Sequence, residues 1–317
     1  MPGLFPAIEP HDGGMLDVGD GHHLYWESSG NPDGMPAVVL HGGPGSGSSS
    51  GARRLFDPAR YRVIGFDQRG CGRSIPRVGA ATDLGTNTTE HLLEDLEALR
   101  RHLAIDRWVI RGHSWGVTLG LAYAERHPEH VVAMVLSSVA MTRPAEVHWL
   151  YHSVGRFFPE AWQSFRQGVP AERRGGDLVA AYHHLLNEQP DLDRRHRAAL
   201  DWCAWEDAVS PLPDGKPHPR YQDPAFRITF ARIVTHYFHH RAWLEEDQLL
   251  RQAHRLAGIP AALIHGRSDL GSPLDTAWEL ASAWPGSELI VVDTGHTGGD
   301  EMTGRTVEAL NVFASLR

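Results

Sequence analysis

One stretch, residues 109–128 (VIRGHSWGVTLGLAYAERHP), limits the possible folds more than any other part of the sequence. A short apolar run of strand type comes first, then a serine between two glycines in GHSWG at 112–116, then small residues with helical spacing. This order predicts a strand that turns sharply into a helix, and only glycine-sized neighbours let the two approach so closely. Such a turn lifts a serine hydroxyl clear of a sheet. Ser114 is therefore a candidate nucleophile.

Short apolar runs elsewhere predict the sheet to which this turn belongs. Loops or helical patterns separate them, and they cover residues 37–40, 62–66, 107–110, 131–136, 261–264 and 289–292. Such runs, alternating with helices, are typical of a parallel sheet covered on both faces. An alternating stretch at 15–28 predicts an antiparallel hairpin before them. We expect an α/β fold with a mostly parallel central sheet and helices on both faces.

The strand pattern breaks off in the middle of the chain. Between residues 140 and 255 the strand-like runs disappear, while tryptophan, histidine, charge and proline become more frequent. We expect residues 140–255 to form a helical cap inserted into the α/β core, whose two parts are residues 1–139 and 256–317. Clefts between such units commonly bind small ligands.

Composition argues against several classes of protein. The 317 residues carry a formal net charge of −9, whereas a nucleic-acid-binding protein normally presents a concentrated basic surface. The sequence has neither the roughly 18 consecutive apolar residues of a membrane span nor a signal-peptide pattern. Only two cysteines occur, Cys71 and Cys203, which favours a reducing compartment. We expect a cytoplasmic protein that binds neither nucleic acid nor membranes.

Histidine is unusually frequent, with 21 residues. Pairs occur at His183-His184 and His239-His240, and His236 precedes His240 by one helical turn, a spacing that metal ligands use. We find no carboxylate or cysteine near them in the sequence that completes a ligand set. We therefore interpret them as exposed histidines of the cap, and we expect no metal and no cofactor.

A serine nucleophile needs a base to accept its proton and an acid to orient that base. In folds of this kind the three follow in the order serine, acid, histidine. Asp269 comes just after the apolar run 261–264, and His296 just after the run 289–292, so both should lie at the sheet edge where Ser114 emerges.

Other roles for the same residues are open at this point. Asp275 and Asp293 are competing acids, but Asp275 lies in a predicted helix start and Asp293 lies too close to His296 along the chain. Asp269 alone would also suit a turn or a helix cap, and His296 a surface position. We predict the set Ser114, Asp269 and His296.

The glycine loop VVLHGGPGSG at 38–47 follows the first run of the sheet. The N–H groups of Gly42 and Gly43, with that of Trp115 directly after the serine, form a predicted oxyanion hole. The alternatives are a plain loop or a phosphate-binding turn. The second is weak, because the Lys-Ser/Thr pair of a P-loop is absent.

Several motifs together resemble those of the proline iminopeptidases, or prolyl aminopeptidases, which are serine peptidases of the α/β-hydrolase fold. The similarity spans nearly the whole chain and includes HGGPG at 41–45, FDQRGCGRS at 66–74, NTTEHLLEDLEALR at 87–100, LGLAYAERHPEHV at 119–131 and WCAWEDA at 202–208. The resemblance implies removal of an amino-terminal residue, usually proline, from a peptide or amide without metal or organic cofactor. Ser114, Asp269 and His296 match the family's triad positions.

The resemblance also implies how the free amino group is bound. Glu206 matches one of the family's two amine-binding glutamates. The second usually lies in a motif similar to FARIENHYF, which reads FARIVTHYF at 230–238 here, so Val234 replaces it. Three nearby acids are candidates to take its place: Glu245, Glu246 and Asp247.

The proline pocket of the family is altered as well. Ala140 and Leu150 stand where relatives place aromatic residues, while Phe238 of the FARIVTHYF motif is retained in the expected pocket. His113 replaces the usual glycine before the nucleophile. These changes indicate a larger and less cation-selective pocket.

We expect a serine hydrolase that forms an acyl-enzyme on Ser114 and releases proline or another aminoacyl group from a small peptide or amide. An alternative is a relative that hydrolyses a non-prolyl amide or ester of a small metabolite, because a buried ammonium that loses a carboxylate partner is destabilised by about 2 kcal/mol. A second alternative is a non-catalytic binding protein that keeps the fold.

Overall fold

A computed structural model describes residues 3–212 and 214–316. Eight strands form one sheet, namely β1 Asp12–Asp17, β2 His23–Gly30, β3 Met35–Leu40, β4 Tyr61–Phe66, β5 Trp108–Ser114, β6 Val131–Val139, β7 Ala261–Gly266 and β8 Ser287–Val292. Their order is β1-β2-β4-β3-β5-β6-β7-β8. β2 pairs antiparallel with β1 and β4, and all other neighbours are parallel. The predicted mostly parallel α/β sheet is confirmed.

Ten α-helices accompany the sheet within the described residues 3–212 and 214–316. They are α1 Thr89–His102, α2 Trp115–Arg126, α3 Pro144–Tyr151, α4 Pro159–Gln167, α5 Leu178–His183, α6 Leu192–Val209, α7 Pro224–His239, α8 Gln248–Arg251, α9 Leu274–Ala283 and α10 Asp300–Phe313. A π-helical turn, His184–Glu188, extends α5. Short 3-10 turns occupy Ser50–Leu55, Pro128–His130, Ser153–Phe157, Ala171–Arg173, Pro219–Gln222, Arg241–Trp243 and Ala253–Leu256.

Strand β3 shows how the sheet separates two layers of the core. Val38 and Leu40 belong to the cluster of buried side chains that includes residues of α1, α2 and α9. Ala37 and Val39 belong to a second cluster, which includes residues of α10. Successive side chains of a strand point to opposite faces, so apolar residues at consecutive positions are required when helices cover both faces.

Between β6 and β7 the described residues contain helices and turns but no strand. A third buried cluster joins α3 to α7 and is dominated by large aromatic side chains. The Phe165 ring stacks on those of Tyr182 and Trp205, with centroids 4.5 and 5.3 Å apart. This packing accounts for the tryptophan-rich composition of the segment.

The expectations about the two cysteines and about membrane-spanning segments concern features that the structure describes. Cys71 and Cys203 are both buried, and both are free thiols. Within residues 3–212 and 214–316, no helix combines the length and hydropathy that crossing a membrane requires.

Candidate active site

Ser114 ends β5, and α2 begins at the next residue. Its backbone has φ 54° and ψ −123°, a conformation that is strained for any residue with a side chain. A Cβ on Gly116 would collide with the Leu40 carbonyl, and one on Gly112 with the Gly116 carbonyl. The glycines are therefore required by the close approach of helix and strand. The structure has the sharp turn that the sequence predicts.

The three side chains predicted to act together are in contact. His296 Nε2 lies 3.0 Å from Ser114 Oγ. His296 Nδ1 lies 3.0 and 2.9 Å from the two carboxylate oxygens of Asp269. The competing Asp275 instead accepts a hydrogen bond from the Thr276 N–H at 2.9 Å. The carboxyl ends of the parallel strands β5, β7 and β8 lie at one edge of the sheet, so the three residues meet there.

Charge and burial set the protonation of the histidine and its acid. Burial favours the neutral carboxyl of Asp269, but the His296 imidazole and the Ser272 N–H, which donates at 2.8 Å, outweigh it and lower the pKa of Asp269. Burial likewise favours a neutral imidazole, but the Asp269 and Glu206 carboxylates raise the pKa of His296. The carboxylate thus stays ionised and accepts the Nδ1–H, which leaves Nε2 free to accept the serine proton.

A second histidine, His113, lies beside the first. Its ring centroid is 5.6 Å from that of His296, and its Nδ1 is 3.0 Å from Ser137 Oγ. Burial, with the nearby charges of His296 and Arg111, lowers the pKa of His113 to about 3. This imidazole therefore stays neutral and adds no positive charge next to the serine.

The glycine loop lies against the serine. The ideal Cβ position at Gly42 is 3.5 Å from Ser114 Cβ. The Trp115 indole N–H donates to the Gln68 side-chain oxygen at 3.0 Å, and the Gln68 amide donates to the His41 carbonyl at 3.1 Å. Gln68 therefore links the glycine loop to the start of α2 by hydrogen bonds. It was not predicted from the sequence as a site residue.

Two cavities meet at Ser114. Their volumes are about 310 and 70 Å³, and both are lined by Gly43, Ser114, Glu206, Ser210 and His296. The smaller one is also lined by Trp115, the residue after the serine. Three residues that the sequence assigns to the pocket line it too, namely Ala140, Leu150 and Phe238. Gly42 lines the larger one.

Comparison with known proteins agrees with this geometry. Residues 36–301 match the alpha/beta hydrolase fold family. A probable proline iminopeptidase of Streptomyces coelicolor is 53% identical over 94% of both chains, and a proline iminopeptidase of Xylella fastidiosa is 44% identical over 94% of both. This chain belongs to the proline iminopeptidase family. A solved proline iminopeptidase structure, from Mycobacterium smegmatis, has a TM-score of 0.62 and 22% identity, covering 96% of this chain and 99% of that one.

In this member of the proline iminopeptidase family, Glu206 is the acidic residue that lines both cavities at Ser114. The Tyr151 hydroxyl donates to its Oε1 at 2.5 Å. Burial raises the pKa of Glu206, although the Tyr151 hydrogen bond and the His296 imidazole oppose the rise. A second carboxylate, Asp207, lines the larger cavity. Tyr151 and Asp207 were not predicted from the sequence, although they directly follow the predicted residues Leu150 and Glu206.

Val234 is the predicted pocket residue that the structure does not bring to either cavity. Its side chain is 1% exposed and lies within the aromatic cluster of α3 to α7. The candidate substitutes for the missing glutamate lie elsewhere too, because Glu245 pairs with Arg251 at 2.8 Å and Asp247 lies 3.7 Å from Arg143. Neither these nor Glu246 lines a cavity at Ser114. Among the described residues, Glu206 lines both cavities, Asp207 lines the larger one, and Glu146, which pairs with Arg143 at 2.6 Å, lines the smaller one.

Proposed function

We propose that this protein is a serine hydrolase that releases an amino-terminal proline from small peptides and amides through an acyl-enzyme on Ser114. The observation that carries the proposal is the 3.0 Å contact of Ser114 Oγ with His296 Nε2, at the mouth of a small cavity that contains a buried carboxylate, Glu206.

The chemistry follows from the positions of the protons. As Ser114 Oγ attacks the substrate carbonyl carbon, its proton passes to His296 Nε2, and Asp269 stabilises the resulting imidazolium. The backbone N–H groups of Gly43 and Trp115, with Gly42 in the same loop, bind the oxyanion. Loss of one such donor raises the barrier by about 3 kcal/mol.

The second half of the reaction uses the same base. His296 returns the proton to the leaving amine, and the carbon–nitrogen bond breaks to leave a prolyl ester on Ser114. Water then attacks this ester while His296 accepts a water proton. The ester bond breaks, proline leaves, and the proton returns to the Ser114 oxygen.

Selection of a free amino terminus comes from the segment between β6 and β7. We propose that residues 140–255 act as a cap over the core formed by 1–139 and 256–317. Glu206, on α6 of this cap, pairs with the substrate ammonium, and the proline ring occupies the smaller cavity beside Phe238. The rest of the peptide occupies the larger cavity. A chain with further residues before the proline does not fit, because the smaller cavity has a volume of only about 70 Å³.

A second candidate function keeps the chemistry but changes the acyl group. It is favoured by the replacement of the family's second amine-binding glutamate by Val234, and by the small or aliphatic side chains of Ala140 and Leu150 in the pocket wall. With fewer carboxylate partners, the site selects an ammonium less strongly and admits a bulkier, uncharged acyl group.

Comparison of substrates separates these functions. Turnover of prolyl, alanyl and short-chain acyl arylamides and esters should be measured beside that of N-acetylprolyl arylamide, whose blocked amine cannot pair with Glu206. We expect free prolyl substrates to be fastest and the N-acetyl derivative to be resistant. Equal or faster turnover of uncharged acyl substrates would favour the second candidate. A folded protein that no fluorophosphonate probe labels at Ser114 would instead indicate a binding protein.

A further inference from the structure

A histidine cluster lies at a different place in the fold. His183 ends α5, His236 lies in the last turn of α7, and His240 follows it. One ring nitrogen of each lies within 4.8 Å of those of the other two. The residues His183 and His236 are only 6% and 8% exposed. The interpretation of these residues as exposed cap histidines is therefore wrong for two of the three, because α7 packs against α5.

Hydrogen bonds to backbone carbonyl oxygens fix the orientation of two of the rings. His236 Nε2 lies 3.2 Å from the Asn87 carbonyl oxygen, and His240 Nδ1 lies 2.9 Å from the His236 carbonyl oxygen. A carbonyl accepts only from a protonated nitrogen, so the other nitrogen of each neutral ring carries a free lone pair. Metal-binding histidines are typically fixed by such a bond on the second ring nitrogen.

The third ring has an unsatisfied atom at the same place. His183 Nδ1 is buried and makes no hydrogen bond within the part of the chain that the structure describes. The Glu188 carboxylate lies 3.5 Å from it, on the π-helical turn. Glu188 Oε2 lies 2.7 Å from His184 Nδ1, so Oε1 is the oxygen available to accept the His183 Nδ1–H, which would leave His183 Nε2 as the ligand. Glu188 is therefore a carboxylate next to the histidine cluster, although none was predicted there from the sequence.

We propose that His183, His236 and His240 bind one divalent transition-metal ion such as Zn²⁺, with Glu188 orienting His183 and water as the fourth ligand. Imidazole nitrogens suit Zn²⁺, Cu²⁺ and Ni²⁺. Tetrahedral Zn²⁺ with Zn–N bonds near 2.0–2.1 Å needs nitrogens about 3.4 Å apart. The three ligand nitrogens, now within 4.8 Å of one another, must therefore approach to that spacing when the ion binds.

The surroundings give the ion access from solvent. The three histidines line a surface cleft of about 540 Å³ together with the carboxylates of Asp83 and Glu188. Two guanidinium groups, of Arg195 and Arg232, also line the cleft, and both donate to backbone carbonyl oxygens. The two carboxylates therefore balance the two guanidinium charges of the cleft.

Binding at this cluster would join elements that also shape the Ser114 cavities. The ion links α5 and the π-helical turn to the carboxyl end of α7, and Phe230 and Phe238 of α7 line those cavities. Any ion that binds only the folded chain raises its stability, so Zn²⁺ should raise the melting temperature.

The test uses tag-free protein, because a polyhistidine tag binds the same ions, after EDTA has been used and removed. Equilibrium dialysis against ZnCl₂ with metal analysis measures stoichiometry and affinity, and thermal unfolding measures the shift in melting temperature. We expect one Zn²⁺ per chain and a clear rise in melting temperature. His240→Ala should weaken binding at least tenfold and abolish the rise, because one of three ligands is removed. Co²⁺ bound to the wild type should give visible absorption that this variant lacks.

His196→Ala is the matched control, since His196 is an exposed histidine of α6 in the same segment. It should leave binding and the melting shift unchanged. The proposal is overturned if no ion binds, or if His240→Ala binds Zn²⁺ as tightly as the wild type. It is also overturned if binding depends on His296 rather than on His240, because the ion would then lie at the active site.

Discussion

His296 Nε2 lies 3.0 Å from Ser114 Oγ, although 182 positions separate the two residues in the sequence. The order β5-β6-β7-β8 accounts for this contact. These strands are parallel, so their carboxyl ends lie at the same edge of the sheet, and residues far apart in the sequence become neighbours there.

Replacement of the serine tests the proposed acyl-enzyme. Ser114→Ala should lower kcat on a prolyl arylamide by about 10⁴-fold or more, because no other group on the turn can form the ester. Fluorophosphonate labelling should disappear, while circular dichroism and melting temperature stay close to those of the wild type. Ser164→Ala, at an exposed position on α4, is the control and should retain full activity. Substantial residual turnover by Ser114→Ala would contradict the assignment.

Replacement of the acid tests the orientation of the histidine. In Asp269→Asn the side-chain NH₂ is directed at His296 Nδ1, so the imidazole carries its proton on Nε2 and cannot accept the serine proton. We expect kcat to fall by about 10⁴-fold with little change in KM. Steady-state kinetics measures both. The same substitution at the competing Asp275 should change kcat by less than about threefold, and a large loss there would reverse the choice of acid.

The pH profile tests the electrostatics of the base. The pKa of His296 is raised above its usual value of 6.5, and only the neutral imidazole accepts the serine proton. Activity should therefore be lost as the pH falls, with the acid limb of kcat/KM centred above pH 6.5. An acid limb at or below that value would count against the proposed pairing with Asp269.

Glu206→Gln separates two effects of one carboxylate. Its negative charge helps to raise the pKa of His296, so the variant's acid limb should move to lower pH. Its proposed pairing with the substrate ammonium predicts a loss of about 30-fold in kcat/KM for prolyl substrates. Glu160→Gln, at an exposed position on α4, should change neither quantity. If Glu206→Gln leaves prolyl turnover intact, the substrate amine is bound by another group.

Stability should depend on a different buried acid. Glu125 on α2 is 3% exposed, and neither carboxylate oxygen has a hydrogen-bond partner among the described residues. Burial raises the pKa of Glu125 from 4.5 to about 8, against the opposing charge of Arg255. Between those values the folded state keeps a proton that the unfolded state has lost, so this group lowers the free energy of unfolding as the pH rises.

Glu125→Gln removes that dependence. Relative to the wild type, it should gain on the order of 3 kcal/mol of unfolding free energy between pH 5 and pH 9. Urea unfolding at both pH values measures the difference. The exposed Glu129→Gln should behave as the wild type does at both. An equal response of wild type and Glu125→Gln would show that the carboxyl group finds a partner or ionises freely.

Much of the architecture was predictable from local sequence. Each predicted apolar run coincides with or adjoins a strand, because burial on both faces requires apolar residues at consecutive positions, as in β3. The turn at Ser114 was predictable for a similar reason, since the close approach of α2 to the sheet excludes larger side chains at Gly112 and Gly116. The glycine loop and the order serine, acid, histidine are also properties of the chain itself.

Contacts between distant segments were decided only by tertiary structure. The sequence identified Asp269, Asp275 and Asp293 as possible acids, and packing brings Asp269 to His296. Motif similarity assigned Val234 to the substrate pocket, yet α7 buries it in the aromatic cluster, where it lines neither cavity. The contact of His183 with His236 could not be predicted either, because the two residues are far apart in the sequence. Local patterns depend on hydrophobicity and backbone geometry within a few residues, whereas these contacts depend on how whole helices and strands pack.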